Sequence, residues 1–330
     1  MDARLPGRVR RCGVASRKVV ESRDGVELSS LDQPLFDGAG TTKRAFVDYL
    51  DAISERILPV LAGRPLSVIR ARPGQPPFMQ KNLPASAPDW VATTTIWAEA
   101  SRREVRYALV DDRRTLLWFA NQRAVELHPT LALAGSWEPT HLVLDLDPPE
   151  GATFDVVIRT AHLVREALAQ VGLAAAVKTS GAKGLHLFVP VAEGTAVEDA
   201  AAATRAIAAR AERLDTALAT TAFVKADREG KVFVDSTRSG GATVVAAYSP
   251  RIRPGVPVSF PVAWDELDHA APGDHTITNV VEQLNGRDPW RDLMPAPQTL
   301  PADLIAEGQA IPIARVQAMH AGKRRKRDAE

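Results

Sequence analysis

The chain has 330 residues, enough for one large domain or two small ones, and its 45% hydrophobic content supports a sizeable core. Charged residues make up 25% but nearly cancel, to a formal net charge of +1, so any nucleic-acid binding must come from local basic patches and not from a global positive field. Cys12 is the single cysteine, which excludes a disulfide framework and a cysteine-based zinc site, and no apolar stretch is long enough to cross a membrane. No apolar core follows the charged start MDARLPGRVRR, so no signal peptide is read there, and the expected setting is a reducing, bacterial-type cytoplasm.

In chain order, residues 1–24 are Arg-rich and aperiodic and read as a loose arm with at most one strand. Phe46, Leu50, Ile53, Ile57 and Leu61 recur at helix spacing, which predicts a helix capped by Thr41 or Thr42 and ended by Gly63. PLSVIRA is strand-like, and the prolines at 73, 76, 77, 84 and 88 predict a long loop over 73–90. VRYALV and TLLWFAN read as strands joined at Asp111-Asp112, followed by the run HLVLDLDPP. An amphipathic helix is expected from Thr153 to Val171, then strand AAVKTS, turn SGAKG, strand LHLFVPV and an alanine-rich helix over 196–219. GKVFVDS and TVVAAYS read as strands, and the chain closes on the basic block Lys323 to Arg327, a solvated tail as readily as a phosphate-binding one. Strands alternating with helices suggest a mixed sheet covered by helices on one or both faces.

The most informative stretch is HLVLDLDPP. Leu142, Val143 and Leu144 lead a buried strand into Asp145 and Asp147, which share one strand face with Cβ atoms roughly 6–7 Å apart. Pro148 and Pro149 then stop the strand. Two carboxylates so placed repel unless a cation lies between them, and one divalent ion, or a pair about 3.5–4 Å apart, fits the span. Asp235 ends a second apolar strand as a third acid; alone it caps a turn as readily as it binds metal, but three strand-mounted carboxylates form a rigid hard-oxygen donor set suited to Mg²⁺ or Mn²⁺.

In KTSGAKGLHLFVP, two glycines bracket Lys183 and allow close backbone approach to a ligand. Ser180, Lys183 and His186 are donors suited to phosphate oxygens, although a lone strand histidine is more often structural, and the P-loop spacing is absent. Arg238 and Arg251 either pair with the acids or hold a triphosphate, and His128 in AVELHP could equally cap a turn.

The acid pair, the S-G-x-K-G-x-H run and the third acid, in this order, resemble the archaeo-eukaryotic primase superfamily, and most closely the polymerase domain of bacterial DNA ligase D. LDLDP, KTSGAKGLHLFVP, GKVFVDS, AAYSPRIRPGVPVSFPVAWDEL and DPW carry the resemblance, which covers roughly residues 25–300. It implies an α+β primase-polymerase fold, in which a palm sheet like an RNA-recognition module packs with an N-terminal α/β module. The boundaries expected are an arm over 1–24, a catalytic domain over 25–300 (N-terminal module about 25–135, palm about 136–260) and a C-terminal extension over 301–330. It implies template-dependent nucleotidyl transfer, extending a primer or filling short gaps in end joining with two Mn²⁺ or Mg²⁺ ions. Asp145, Asp147 and Asp235 would be the metal ligands. Ser180, Lys183, His186, Arg238 and Arg251 would hold the triphosphate, and His128 would lie near its sugar. Phe78 would stack on a template base, Lys43 would help bind a 5′-phosphate, and Lys81 would join them in contacting DNA.

Implied partners are primer-template or broken DNA ends, nucleoside triphosphates, and a separate ligase and end-binding protein; the protein is expected to be a monomer without membrane association. Departures from the family pattern are Gln33 at a lysine position, Phe78-Met79 for a Phe-Phe pair, Lys81-Asn82 for Lys-His, and Val68-Ile69-Arg70 for an L-K-R run. No K-x-D-G ligase motif occurs, so the expected entity is a polymerase module alone, or a fragment. Two other readings stay open: a haloacid-dehalogenase-like phosphohydrolase, disfavoured by Pro149 where Thr or Val is expected, and a non-catalytic module that binds DNA ends.

Overall fold

The structure, a computed structural model, describes residues 21–98, 102–239 and 242–313. Most of the expected N-terminal arm and the basic block at 323–327 lie outside these residues.

The first part of the chain holds the hairpin β1 (Ser22–Arg23) and β2 (Val26–Glu27), helices α1 (Lys43–Ala52) and α2 (Ser54–Leu61), strands β3 (Leu66–Arg72), β4 (Gln75–Gln80), β5 (Thr93–Ala98) and β6 (Arg103–Ala108), helix α3 (Arg113–Asn121) and strand β7 (Ala124–Pro129). The second holds β8 (His141–Asp147), α4 (Phe154–Ala169), β9 (Ala176–Thr179), β10 (Leu185–Pro190), α5 (Val197–Leu214), β11 (Ala219–Thr220), β12 (Val232–Asp235) and β13 (Pro261–Val262), then α6 (Val280–Leu284), α7 (Pro289–Leu293) and α8 (Ala302–Ala310). The architecture is mixed α and β, as the resemblance implied.

Two sheets dominate. One follows the order β4-β3-β6-β5, with β7 also pairing β3; the other follows β11-β12-β8-β10-β9-β13. In the second sheet, period-two alternation sends Leu142, Leu144, Leu146, Leu185, Leu187, Val232 and Val234 to one face, where they pack under α4 and α5 in a single core. Each such fully buried side chain contributes about 1.5–3 kcal/mol. α8 joins this core through Leu304, and Gly308 lets it press against α5, since a Cβ there would lie 1.8 Å from the carbonyl oxygen of Ala202. The other core gathers α1, α2, α3, β3 and β7, and the chain returns to it late, through Tyr248, Val256, Val258 and Val280. On the opposite face of the six-stranded sheet, Val143 and Phe188 pack with Leu131 and Val244 in a smaller core.

Several local expectations are corrected. The helix predicted over 42–62 divides at Ile53, although all five periodic residues are buried; Thr42 does cap it, accepting from the Ala45 N–H at 3.3 Å. The 73–90 loop contains β4, whose prolines are tolerated because it is an edge strand with its register shifted between Arg70 and Arg72. TLLWFAN is helix α3: Asp112 caps it by accepting from the Thr115 N–H at 2.7 Å, and Leu116, Leu117, Phe119 and Ala120 line its buried side. β5 was not anticipated. TVVAAYS is not a strand; Val244 and Ala246 donate to the carbonyls of Pro129 and Leu127, and Tyr248, with φ +67°, turns the chain away.

Candidate functional site

The strand register assembles the site. Asp235 on β12 lies directly across from Asp145 on β8, Asp145 across from His186 on β10, and His186 across from Lys178 on β9. Residues opposite one another in antiparallel strands share a face, so these four form one row across the sheet, with Asp147 two residues farther along β8. This face is the one that α4 and α5 leave uncovered.

Each acid is held by cations. Arg238 reaches Asp145 at 2.8 Å and Asp235 at 3.2 Å, so its guanidinium bridges them. Asp147 pairs with Lys183 at 3.2 Å and Arg228 at 3.1 Å, and the Arg228 guanidinium lies 3.8 Å from the centre of the Phe233 ring. Asp235 also accepts from the Thr237 N–H and hydroxyl, at 2.8 and 2.6 Å. Burial pushes the Asp145 carboxyl up, but His186 and Arg238 beside it outweigh this and hold it well below the usual carboxylate range.

Behind the acids, Lys178 is fully buried, 2.9 Å from His186 Nδ1 and 2.6 Å from the Ser259 hydroxyl. Burial, then the charge of Arg251, pulls its ammonium well below the ordinary lysine range. The Asp145 carboxylate, an acceptor only, lies 3.3 Å from Nε2, which places a proton there and leaves Nδ1 to face Lys178 Nζ. Burial and Lys178 push His186 down to about 4, against the pull of Asp145.

The glycines of SGAKG are required by close approach. Gly181 adopts φ +66°, and a Cβ on it would lie 2.7 Å from Arg251 Cγ; one on Gly184 would lie 2.2 Å from the Leu146 carbonyl oxygen. The Ser180 hydroxyl accepts from the Ala182 and Gly184 N–H groups and closes the turn, which brings Lys183 over Asp147. Arg251 donates to the Ser180 carbonyl and pairs with Glu126 at 3.1 Å, and Glu126 in turn meets His128 Nε2 at 2.9 Å.

Of the expected site residues, the fold thus brings together Asp145, Asp147, Asp235, Lys183, His186 and Arg238 through direct contacts, and Ser180, Arg251 and His128 through one connected set. Lys43 stands apart: it is buried and donates to the Ser29 carbonyl at 2.7 Å and Asn121 Oδ1 at 2.6 Å. Phe78 and Lys81 lie on and just after β4 in the other sheet; Phe78 is 43% exposed with Arg70 beside its ring. Sequence reasoning missed Lys178, Arg228 and Glu126. A lysine inside the apolar run AAVKT, on the face opposite Val177, was a readable signal for the first.

The donor set suits a divalent cation: three carboxylates on rigid strands present hard oxygen ligands to one side, and the Arg238 guanidinium already lies between two of them. Among the described residues no group of three or more His, Cys, Asp or Glu side chains is drawn into a ready metal cage; each acid is paired with a cation instead. A separate cavity of about 450 Å³ sits at the far end of the same sheet face, lined by His141, Phe188, Trp290 and Arg64 but by none of the acids.

A family model described as LigD, primase-polymerase domain, matches residues 42–290. Among curated relatives, the multifunctional non-homologous end joining DNA repair protein LigD of Mycobacterium tuberculosis (strain ATCC 25618 / H37Rv) is 38% identical over 262 residues, 76% of this chain and 34% of that protein. The bifunctional non-homologous end joining protein LigD of Bacillus subtilis (strain 168) is 30% identical over 286 residues, 85% of this chain and 46% of that protein. The chain therefore spans less than half the length of these relatives. Among solved structures, the polymerase domain from Mycobacterium tuberculosis ligase D in complex with DNA matches with a TM-score of 0.74 at 34% identity, covering 82% of this chain and 97% of that one.

Proposed function

Because the chain belongs to the LigD primase-polymerase domain family, we propose that it is a template-dependent nucleotidyltransferase that extends a primer or fills short gaps at DNA breaks. The observation that carries this is the facing pair Asp145 and Asp235, with Asp147 on the same side and Lys183 above it. Two Mn²⁺ or Mg²⁺ ions held by these acids would neutralise phosphate charge and make the primer 3′-hydroxyl a better nucleophile. The chain's own residues do the rest. β8 and β12 hold the carboxylates rigidly, Lys183 and Arg228 bring positive charge to the edge where a triphosphate would lie, and His186 keeps an N–H toward Asp145. Arg238, held between two acids, would turn its fork toward phosphate once a metal takes its place.

DNA is the proposed macromolecular partner, with Phe78 offering a half-exposed ring for a template base and Lys81 a nearby charge. The buried position of Lys43 suits a supporting role beneath a 5′-phosphate site better than direct contact. A DNA ligase and an end-binding protein are proposed as partners in completing the repair. Among the described residues no helix is long and apolar enough to cross a membrane, and action in the cytoplasm, at the nucleoid, is proposed. The phosphohydrolase reading is disfavoured by the family match, which runs over residues 42–290 and includes Asp145, Asp147 and Asp235.

The test is extension of a gapped duplex with ribo- or deoxynucleotides, with and without a 5′-phosphate, in Mn²⁺ or Mg²⁺. Incorporation templated by the opposing base is expected. Binding of the gap without incorporation would leave only a recognition module, and phosphate release from a small phosphomonoester would favour the hydrolase.

A further inference from the structure

Glu126 is a buried acid to which the reading above gives no task. It lies on β7, its side chain is 7% exposed, and its carboxylate meets His128 on the same strand and the Arg251-Ile252 segment, more than a hundred residues away. His128 Nε2 lies 2.9 Å from Oε2, the Ile252 N–H donates to Oε1 at 3.0 Å, and Arg251 Nε lies 3.1 Å from Oε2. Arg251 then donates to the carbonyl of Ser180, at the start of the turn that carries Lys183. Contact on the far side of this link is equally close, since Gly181 has no room for a Cβ against Arg251 Cγ and the Ser259 N–H.

Burial pushes Glu126 up, but the His128 hydrogen bond, Arg251 and the Ile252 N–H pull it down to about 2, so the group is a carboxylate under working conditions. A carboxylate only accepts, so the His128 proton resides on Nε2. Nδ1 of His128 lies on the other side of the ring from this carboxylate, and a ring nitrogen can hydrogen-bond a hydroxyl.

We propose that Glu126 is a positioning residue for the incoming nucleotide: through His128 it presents an oriented ring nitrogen to a sugar hydroxyl, and through Arg251 it ties β7 to the phosphate-side turn, so that one carboxylate aligns the sugar and phosphate ends of the same ligand. This rests on the polymerase reading. It makes Glu126 a determinant of nucleotide affinity and of the choice between ribose and deoxyribose, separate from the metal-facing acids.

The experiment is single-nucleotide incorporation on a gapped duplex by the wild type, E126Q, E126D, H128A and E126Q/H128A, with ribo- and deoxynucleoside triphosphates. Gln keeps the shape but loses the charge and places an amide where a second acceptor stood. The expected result for E126Q is a KM for nucleotide raised by about tenfold or more, with kcat within roughly threefold of wild type and gap-binding affinity unchanged. Its ribose-to-deoxyribose preference should shift, and this shift should vanish in the H128A background, because both substitutions remove one coupled interaction. E126D should recover part of the nucleotide affinity, and it supplies the same comparison where E126Q does not fold. An unchanged nucleotide KM, equal losses in nucleotide and DNA affinity, or additive effects of E126Q and H128A on sugar preference would each overturn the proposal. A wild-type protein that incorporates no nucleotide would overturn the polymerase reading itself, and the positioning role with it.

Discussion

Asp235 faces Asp145 across the antiparallel pair of β12 and β8, and one guanidinium, that of Arg238, touches both, at 3.2 and 2.8 Å. Two acids this close on rigid strands are mutually repulsive unless a cation intervenes. Asp145→Asn is therefore expected to abolish templated incorporation, by about a hundredfold or more, while binding of gapped DNA is kept or strengthened by the loss of a negative charge. Extension assays beside fluorescence anisotropy check this, and near-normal extension by the variant would remove the metal assignment.

The turn before β10 depends on a missing side chain. Since a Cβ on Gly184 would lie 2.2 Å from the Leu146 carbonyl oxygen, Gly184→Ala must displace β10 from the acid-bearing β8. A loss of about 1–3 kcal/mol is expected from the overpacking, together with a lower kcat. Urea unfolding measures the first; an unaltered midpoint would show that the turn relaxes freely.

Tyr49 joins the two ends of the chain's first core. Its buried hydroxyl donates to the Tyr248 carbonyl at 2.7 Å, and the Tyr248 hydroxyl donates to Asp288 at 2.6 Å. Tyr248 also sits at φ +67°, which a bulky residue adopts only when its surroundings hold it there. Tyr49→Phe should cost about 1 kcal/mol by leaving that carbonyl unpaired. Thermal or urea denaturation would show it, and a neutral result would mean that the hydrogen bond is not what holds the turn.

Stability should fall on acidification partly through His141, which burial and then Arg64 push down to about 4. Below about pH 6.5 the unfolded chain takes up a proton there and the folded chain does not until about pH 4, so the unfolded state binds more protons and is favoured as pH drops. The loss is at most about 1.4 kcal/mol per pH unit for this group. His186, lowered to about 4 by burial and Lys178, adds in the same direction. Unfolding curves of wild type and His141→Asn at pH 7 and pH 4.5 should converge as pH falls; parallel curves would rule His141 out as a contributor.

Phe78 is 43% exposed and packs only partly, against Arg70. Phe78→Ala is expected to leave the melting temperature unchanged and weaken binding to a templated gap by about 1–3 kcal/mol, the usual worth of one base-stacking contact. Anisotropy with a gapped and a fully paired duplex separates this from a general loss of affinity.

What the chain's own text determined is what depends on neighbours in sequence. The alternation in HLVLDLD placed Asp145 and Asp147 on one face, and the paired glycines of SGAKG marked the close approach seen at Gly181 and Gly184. The same local view misread TLLWFAN, whose Thr, Trp and Phe suit a strand until Asp112 caps the segment into a helix, and it saw prolines where β4 uses a sheet edge. Only the tertiary structure decided which strands are neighbours. Asp235 meets Asp145, and Glu126 meets Arg251, across long stretches of chain, and the backing of His186 by Lys178 depends on the register between two strands. Side-chain periodicity is a property of a few consecutive peptide units, whereas register between strands is set by the packing of whole faces into a common core, which no single segment encodes.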